Sequence, residues 1–194
     1  TLNSVFFIDE TTGWACGSNG KIIKTTDGGA NWFSQNSNST ISLNKIQFID
    51  PNTGWACGSN KLLSSTNGGT NWSVQSFEDS AYVSSFQFIS NSVGWLLIDY
   101  NYGSSARIYK TTNSGSSWTL QLNISNNVFG ACIDFLDENI GWVSTDLASV
   151  YKTTNGGTSW IIYTSNIFGG PQSISFVDEQ NGWISWNTLG SGQI

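Results

Sequence analysis

Few side chains in this 194-residue chain could carry chemistry, because it contains no histidine. Without histidine there is no imidazole acid or base, no Ser–His or Cys–His nucleophile pair and no His-ligated zinc or haem. The three cysteines are Cys16, Cys57 and Cys132. An odd number without a Cys-x-x-Cys spacing fits neither a disulfide framework nor a zinc site. We therefore predict no catalytic residue, no bound metal and no cofactor.

Two sets of polar residues recur along the chain and could be mistaken for ligand sites. One set stands five residues before a tryptophan in Gly-rich or Ser-rich turns and comprises Asp27, Asn67, Asn113 and Asn155. The other follows short apolar segments and comprises Asp9, Asp50, Asp137 and Asp178. Asp and Asn oxygens accept nearby backbone N–H groups, whereas a metal needs oxygens that converge on one point. We expect both sets to brace turns; a polar ring at a channel mouth is the alternative for the second set.

The segment most suited to binding is 99–107, Asp-Tyr-Asn-Tyr-Gly-Ser-Ser-Ala-Arg, which is longer than its counterparts in the two preceding repeats. It places Tyr100, Tyr102 and the single arginine, Arg107, in one predicted flexible loop. Binding residues are common on variable loops of rigid scaffolds. Trp186 departs from the repeat pattern and is expected to be partly exposed. We predict that these four residues contact a protein partner or stack on sugar rings, and an ordinary insertion is the alternative.

A repeat of 40 to 47 residues positions these side chains. The dipeptide Gly-Trp occurs five times, at spacings of 41, 40, 47 and 41 residues, beginning at Gly13, Gly54, Gly94, Gly141 and Gly182. Apolar residues alternate with polar ones before each Gly-Trp, which predicts a strand, and helical periodicity is absent. A second strand starts at Gly-Trp, a third precedes the Gly-rich turn and a fourth begins at the tryptophan after it. Each repeat therefore predicts four short antiparallel strands.

Four strands per repeat of this length indicate an all-β protein of the β-propeller class. A four-stranded sheet exposes two apolar faces, so neighbouring blades must cover them, and the tryptophans are expected to lie between blades. We predict one domain over 1–194 with blades at about 1–40, 41–80, 81–125 and 126–168 and a partial fifth blade at 169–194. We also expect an incomplete ring belonging to a longer polypeptide. A parallel β-solenoid is the structural alternative, although its period of about 20–30 residues fits poorly.

The turns at 25–32, 65–72, 111–118 and 153–160 resemble the Asp-box, or bacterial neuraminidase repeat, with the pattern Ser/Thr-x-Asp-x-Gly-x-x-Trp. The whole unit, Phe-x-Asp-x-x-x-Gly-Trp-x-x-Gly and then Lys-Thr-Thr-Asp-Gly-Gly-x-x-Trp, resembles that of photosystem II stability/assembly factor propellers. This resemblance covers essentially the whole chain. It implies a seven-bladed propeller, with relatives among secreted proteins of non-photosynthetic bacteria. Asp27 alone keeps the aspartate; Asn replaces it in the other turns and retains the accepting oxygen.

Three functions are compatible with this resemblance. The favoured one is a non-catalytic scaffold or interaction propeller. The second is a glycoside hydrolase, but sialidases need three arginines where only Arg107 is present, and xyloglucan-cleaving enzymes need two carboxylates. Asp99, Asp134 and Asp146 are available for that role, yet no motif selects a pair. The third is a photosystem assembly factor, whose binding face is expected to be richer in basic residues than six Lys and one Arg allow.

Charge and composition restrict the partners and the location. Seven basic against thirteen acidic residues give a net charge of −6, which disfavours nucleic acid. No apolar run approaches the roughly 18–20 residues of a membrane span, so we predict no membrane insertion. Charged residues make up only 10%, and abundant Asn, Ser and Thr favour an extracellular or cell-surface bacterial protein. The expected partners are a protein or a glycan at the loops, and the remaining blades from the same or another chain.

Overall fold

The chain folds almost entirely into short β-strands. The computed structural model describes residues 1–125, 128–146, 149–164 and 170–187. For Gly170, Trp186 and Asn187 it describes only the backbone. Over these ranges it contains eighteen strands and one three-residue 3-10 turn, Ser18–Gly20. The chain divides into two compact units, Thr1–Val83 and Ser84–Ile194.

The first unit contains two four-stranded antiparallel sheets. In each sheet the strands follow one another in chain order. The first sheet comprises β1 (Leu2–Phe7), β2 (Gly13–Gly17), β3 (Ile22–Thr25) and β4 (Phe33–Gln35). The second comprises β5 (Lys45–Phe48), β6 (Gly54–Gly58), β7 (Lys61–Ser65) and β8 (Ser73–Ser76).

The second unit contains the remaining sheets, and the division between the units falls within β9. The third sheet comprises β9 (Ala81–Phe88), β10 (Gly94–Tyr100), β11 (Ser105–Thr111) and β12 (Thr119–Ser125). The fourth comprises β13 (Gly130–Phe135), β14 (Gly141–Thr145), β15 (Ser149–Thr153) and β16 (Ile161–Thr164). A two-stranded sheet follows, with β17 (Gly170–Phe176) and β18 (Gly182–Asn187). The predicted all-β fold of four four-stranded antiparallel blades and a partial fifth is confirmed.

The core of each unit lies between successive blades and is built from aromatic pairs. Within the first unit, the Trp14 ring stacks on Phe48 of the next blade at a centroid distance of 3.6 Å. Within the second unit, Trp95 stacks on Phe135 at 3.6 Å and Trp142 on Phe176 at 3.7 Å. Stacked aromatic pairs combine a large buried area with a favourable ring geometry. The expected position of these tryptophans between blades is therefore confirmed for the three pairs.

Each Gly-Trp dipeptide needs its glycine because a phenylalanine ring of the preceding strand lies against that position. Phe7 pairs with Gly13 across β1 and β2, and a Cβ on Gly13 would lie 2.6 Å from the Phe7 ring. The corresponding distance is 2.6 Å for Gly94 and Phe88 and 2.2 Å for Gly141 and Phe135. Any side chain at these positions would have to displace the phenylalanine ring, so only glycine fits.

Candidate functional site

Each Gly-rich turn is held by the side chain that the repeat places in it. In the fourth blade, Asn155 Oδ1 accepts the Ser159 N–H at 2.8 Å, and Thr153 Oγ1 accepts the Gly157 N–H at 2.8 Å. The same oxygen-to-N–H bonds, at 2.9–3.0 Å, occur around Asp27, Asn67 and Asn113. The oxygens of these four residues therefore engage their own turns, and Asn serves in place of Asp.

The aspartates between the first and second strands act in the same local way. Their Oδ1 atoms accept N–H groups two and three residues further on at 2.7–2.9 Å, in turns that contain Asp9, Asp50, Asp137 and Asp178. The two kinds of turn also bond to each other, as in Gly28 N–H to Thr11 O at 2.9 Å and Gly156 N–H to Asn139 O at 2.8 Å. Both polar sets thus lie at the same end of their blades.

The opposite end of the third blade carries the unusual hairpin. Strand direction alternates along each sheet, so the turn from β10 to β11 lies at the end opposite the Gly-rich turn. The sequence predicted a flexible loop over 99–107, and this is wrong, because β10 and β11 continue to Tyr100 and from Ser105. Only residues 101–104 form the turn, and Asn101, Tyr102 and Gly103 take positive φ angles of 49°, 56° and 88°. The insertion is a lengthened, regular hairpin.

Two aromatic side chains are exposed at the tip of this hairpin. Tyr102 is 97% exposed, and Phe129, just before β13, is 48% exposed. The Phe129 ring packs on the backbone of Gly103, since a Cβ on that glycine would lie 2.2 Å from the ring. Two hydrogen bonds to Asp146 hold the Phe129 backbone. The Phe129 N–H donates to Asp146 Oδ1, and the Asp146 N–H donates to the Phe129 carbonyl, both at 3.0 Å. We call Tyr102 and Phe129 the aromatic tip.

The other residues predicted for binding are placed differently. Tyr100 is only 6% exposed, so it is not a surface for a sugar ring to stack on. The Arg107 guanidinium lies 4.3 Å from the centre of the Tyr100 ring, and the Tyr100 and Tyr109 hydroxyls are 3.3 Å apart. Tyr100 and Arg107 therefore pack on each other within the paired strands of the hairpin, whereas Tyr102 is exposed to solvent in its turn. Trp186 lies opposite Pro171 in β18, and its side chain is outside the described residues.

The carboxylates considered for hydrolysis accept hydrogen bonds from backbone N–H groups. Asp99 is 4% exposed, and it accepts the Gly130 N–H at 2.7 Å and the Ser84 hydroxyl. Burial raises the pKa of Asp99 to about 6, and the nearby Asp146 carboxylate contributes. Asp134 accepts the Phe176 N–H at 2.6 Å. Both Asp99 and Asp134 thus connect one blade to the first strand of the next.

The cysteines and the acidic residues form no reactive or metal-binding cluster in the part of the chain that is described. Cys16 and Cys57 are free thiols and are buried. Burial raises the pKa of both thiols to about 12, so they stay protonated and unreactive near neutral pH. No group of three Cys, Asp or Glu side chains within the described ranges could hold a metal ion. Over the same residues no helix is long and apolar enough to cross a membrane.

Four-stranded antiparallel sheets, aromatic pairs between them and braced Gly-rich turns define a β-propeller of the Asp-box class. The family model for photosynthesis system II assembly factor YCF48 matches residues 36–191. The chain belongs to this family. No curated protein matches it in a sequence search.

Solved structures with the same fold are similar at low sequence identity. A YCF48 bound to D1 peptide is 16% identical with a TM-score of 0.51, covering 97% of this chain and 91% of that one. YCF48 from Cyanidioschyzon merolae is 19% identical with a TM-score of 0.67, covering 93% and 65%. An ancestral GH74 enzyme is 17% identical with a TM-score of 0.73, covering 92% of this chain but 26% of that one. These likenesses support the propeller fold.

Proposed function

We propose that this chain is a non-catalytic, protein-binding propeller segment whose aromatic tip holds an extended peptide segment of a partner. The observation that carries the proposal is the exposure of Tyr102, in the lengthened β10–β11 hairpin, and of Phe129, whose ring packs on Gly103 of that hairpin. Tyrosine and phenylalanine are enriched where proteins bind one another, because they bury a large area at a small cost in side-chain entropy.

The support beneath the tip makes it suitable for binding. Two seven-residue strands, β10 and β11, hold the turn, while Asp146 fixes the Phe129 backbone. A preorganised surface loses little conformational entropy when its partner binds. Membership of the YCF48 family, and the D1 peptide in one similar structure, also favour a peptide over a glycan.

The carboxylate geometry favours a binding role over hydrolysis. A glycosidase needs two carboxyl groups that flank a bound sugar and reach its glycosidic bond. Asp99 is buried and accepts Ser84 and Gly130, and Asp134 accepts Phe176. A substrate would have to displace these bonds. The GH74 likeness is one of fold, at 17% identity.

Peptide selection followed by affinity measurement tests the proposal. Linear peptides selected on the wild-type chain from a phage library, and the D1 peptide itself, would be measured by fluorescence anisotropy. We expect Tyr102→Ala and Phe129→Ala each to weaken binding about tenfold or more, as for an aromatic hot spot. Replacing residues 101–104 by Asn-Gly, which makes a tight hairpin turn, should remove binding while keeping β10 and β11.

Tyr163→Ala is the matched control, because Tyr163 is also exposed, at 54%, but lies on the outer strand β16. It should bind every peptide like the wild type. Equal affinity in the control and in Tyr102→Ala would contradict the proposal, and so would failure to select any peptide. Binding to a glycan array that is lost in Tyr102→Ala would show that the ligand is a sugar and not a peptide. Xyloglucan hydrolysis that is lost in Asp99→Ala or Asp134→Ala would establish an enzyme instead.

We further propose an extracellular or cell-surface location in a bacterium. It is supported by the 10% content of charged residues and by polarity that comes from Asn, Ser and Thr. Protease treatment of intact source cells tests it: digestion of this protein, with a cytoplasmic marker left intact, is the expected result. Protection in intact cells and digestion only after lysis would place it inside.

A further inference from the structure

Two carboxylates hold the backbone that carries Phe129 of the aromatic tip. The Phe129 N–H donates to Asp146 Oδ1 at 3.0 Å, and the next N–H along the chain, that of Gly130, donates to Asp99 Oδ1 at 2.7 Å. Asp99 is 4% exposed, whereas Asp146 is only partly buried. The Asp146 carboxylate lies close enough to contribute to the raised pKa of Asp99. The aromatic tip is therefore bordered by two neighbouring negative charges, and Asp146 is the outer one.

The lysines of the second unit lie at the other end of its blades. The basic residues of this unit are Arg107, Lys110 and Lys152. Lys110 donates to the Glu138 carbonyl at 3.2 Å, at the end that carries the Gly-rich turns. Lys152 donates in the same way to the Glu179 carbonyl, also at 3.2 Å. Neither lysine is placed to offset the charges beside the aromatic tip.

Arg107 lies at the lengthened hairpin, but on the opposite face of the third blade. Successive residues of a strand point to opposite faces of their sheet, and Asp99 uses one face to reach Gly130. Its neighbour Tyr100 points to the other face, where the Arg107 guanidinium packs on the Tyr100 ring at 4.3 Å. Arg107 is therefore separated by the sheet from the carboxylates beside Phe129.

We propose, on the basis of the proposed function, that the peptide held at the aromatic tip is basic, with a lysine or arginine that pairs with Asp146. Opposite charges at the edge of an interface steer association and select between partners. Cations are also attracted to the exposed faces of tyrosine and phenylalanine rings, which Tyr102 and Phe129 supply. A neutral segment gains neither attraction, and an acidic segment meets two like charges.

Charge substitutions on both sides of the contact test the proposal. The probe is the linear peptide that binds the wild-type chain most tightly in the phage selection, together with a version in which glutamine replaces its lysines and arginines. At low salt, glutamine should weaken binding to the wild type about two- to fivefold for each cation that contacts the tip. Asp146→Asn keeps an oxygen for the Phe129 N–H but removes the charge. It should weaken the basic peptide by a similar factor and leave the glutamine peptide unchanged.

Asp137→Asn is the matched control. It removes the same charge from the same unit at the Gly-rich end and keeps an oxygen for the Asn139 and Ile140 N–H groups. It should bind both peptides like the wild type. Equal losses of basic-peptide affinity in Asp137→Asn and Asp146→Asn would contradict a local contact with Asp146.

Two further outcomes separate this proposal from the proposed function. Selected peptides that Tyr102→Ala weakens, but that bind equally well with glutamine in place of lysine and arginine, would overturn the basic partner and leave a peptide-binding tip. Failure to select any peptide whose binding depends on Tyr102 would overturn both. Salt gives a second readout, because added salt screens exposed charges. It should weaken the basic peptide more than its glutamine version, and equal salt dependence would contradict the pairing.

Discussion

Aspartate serves two opposite electrostatic purposes in this molecule. Asp27 lies in a turn at the surface, and hydrogen bonds from the side chain and backbone of Asn31 lower its pKa to about 2. Asp99 lies in β10 and accepts the Gly130 N–H of β13, and burial raises its pKa to about 6. Asp27 therefore favours the folded state when ionised, whereas ionisation of Asp99 opposes folding. The two residues give the stability of the protein opposite dependences on pH.

The Asp99→Asn variant should remove the free-energy cost of burying an ionised carboxylate. Since the pKa of Asp99 is higher in the folded chain, the folded state binds more protons between pH 4 and 6, and stability from this residue falls as pH rises through that range. Asn cannot ionise and still offers an oxygen to the Gly130 N–H. From the shift of 3.8 to about 6, the gain above pH 7 is at most about 3 kcal/mol.

Urea denaturation of both chains from pH 4 to pH 8 measures this gain. The two unfolding curves should approach each other near pH 4 and separate above pH 6, with the variant more stable. A variant that is less stable than the wild type at pH 8 would show that the carboxylate is needed as an anion.

A hydroxyl in the Gly-rich turn offers a second test at the residue scale. Thr153 is 1% exposed, and its Oγ1 accepts the Gly157 N–H at 2.8 Å. Thr153→Val keeps the shape but leaves that N–H unpaired, which should cost about 1–3 kcal/mol of unfolding free energy. Thr154→Val changes the exposed neighbour and should stay within about 0.5 kcal/mol. Equal urea midpoints for the two variants would refute the bracing role.

At the scale of the strands, the repeat made most of the fold predictable. Alternating apolar residues, Gly-Trp and the Gly-rich turns each mark a boundary, because they reflect local backbone requirements. The hairpin at 99–107 escaped prediction because its polar residues suggested a loop. Asp99 is tolerated in a strand only because Ser84 and Gly130, both distant in sequence, satisfy its oxygens. No local pattern could reveal those bonds.

The candidate site shows the same division between local and distant causes. Tyr102 was predicted from its place in the insertion. Phe129 was missed, because it lies 26 residues beyond Gly103 in the sequence, and only the packing of its ring on that glycine brings it to the tip. Tyr100 is two residues from Tyr102 yet buried, since the strand continues further than the sequence suggested.

At the scale of the whole molecule, stability depends on contacts between neighbouring blades. Within each unit, Trp14, Trp95 and Trp142 each stack on a phenylalanine of the next blade, as expected for repeat proteins, in which each repeat packs on its neighbours. The positive charges also serve these contacts: Lys24, Lys110 and Lys152 lie 4.8–5.2 Å from the ring centres of Trp14, Trp95 and Trp142. Three of the seven basic residues thus pack on tryptophan rings. Because the chain also has a net charge of −6, few cations are available to bind an acidic partner.

Comparing one substitution at two equivalent positions tests this dependence on neighbours. Trp95→Ala removes a fully buried ring that stacks on Phe135 and should cost about 3–5 kcal/mol. Trp183→Ala removes the same residue from the same place in the repeat, but its ring is 66% exposed, so the cost should be under about 1 kcal/mol. Urea midpoints of the two variants, each compared with the wild type, measure the difference. Similar losses would mean that the tryptophan stabilises its own sheet, and the stacking between blades would then contribute little to the stability of the propeller.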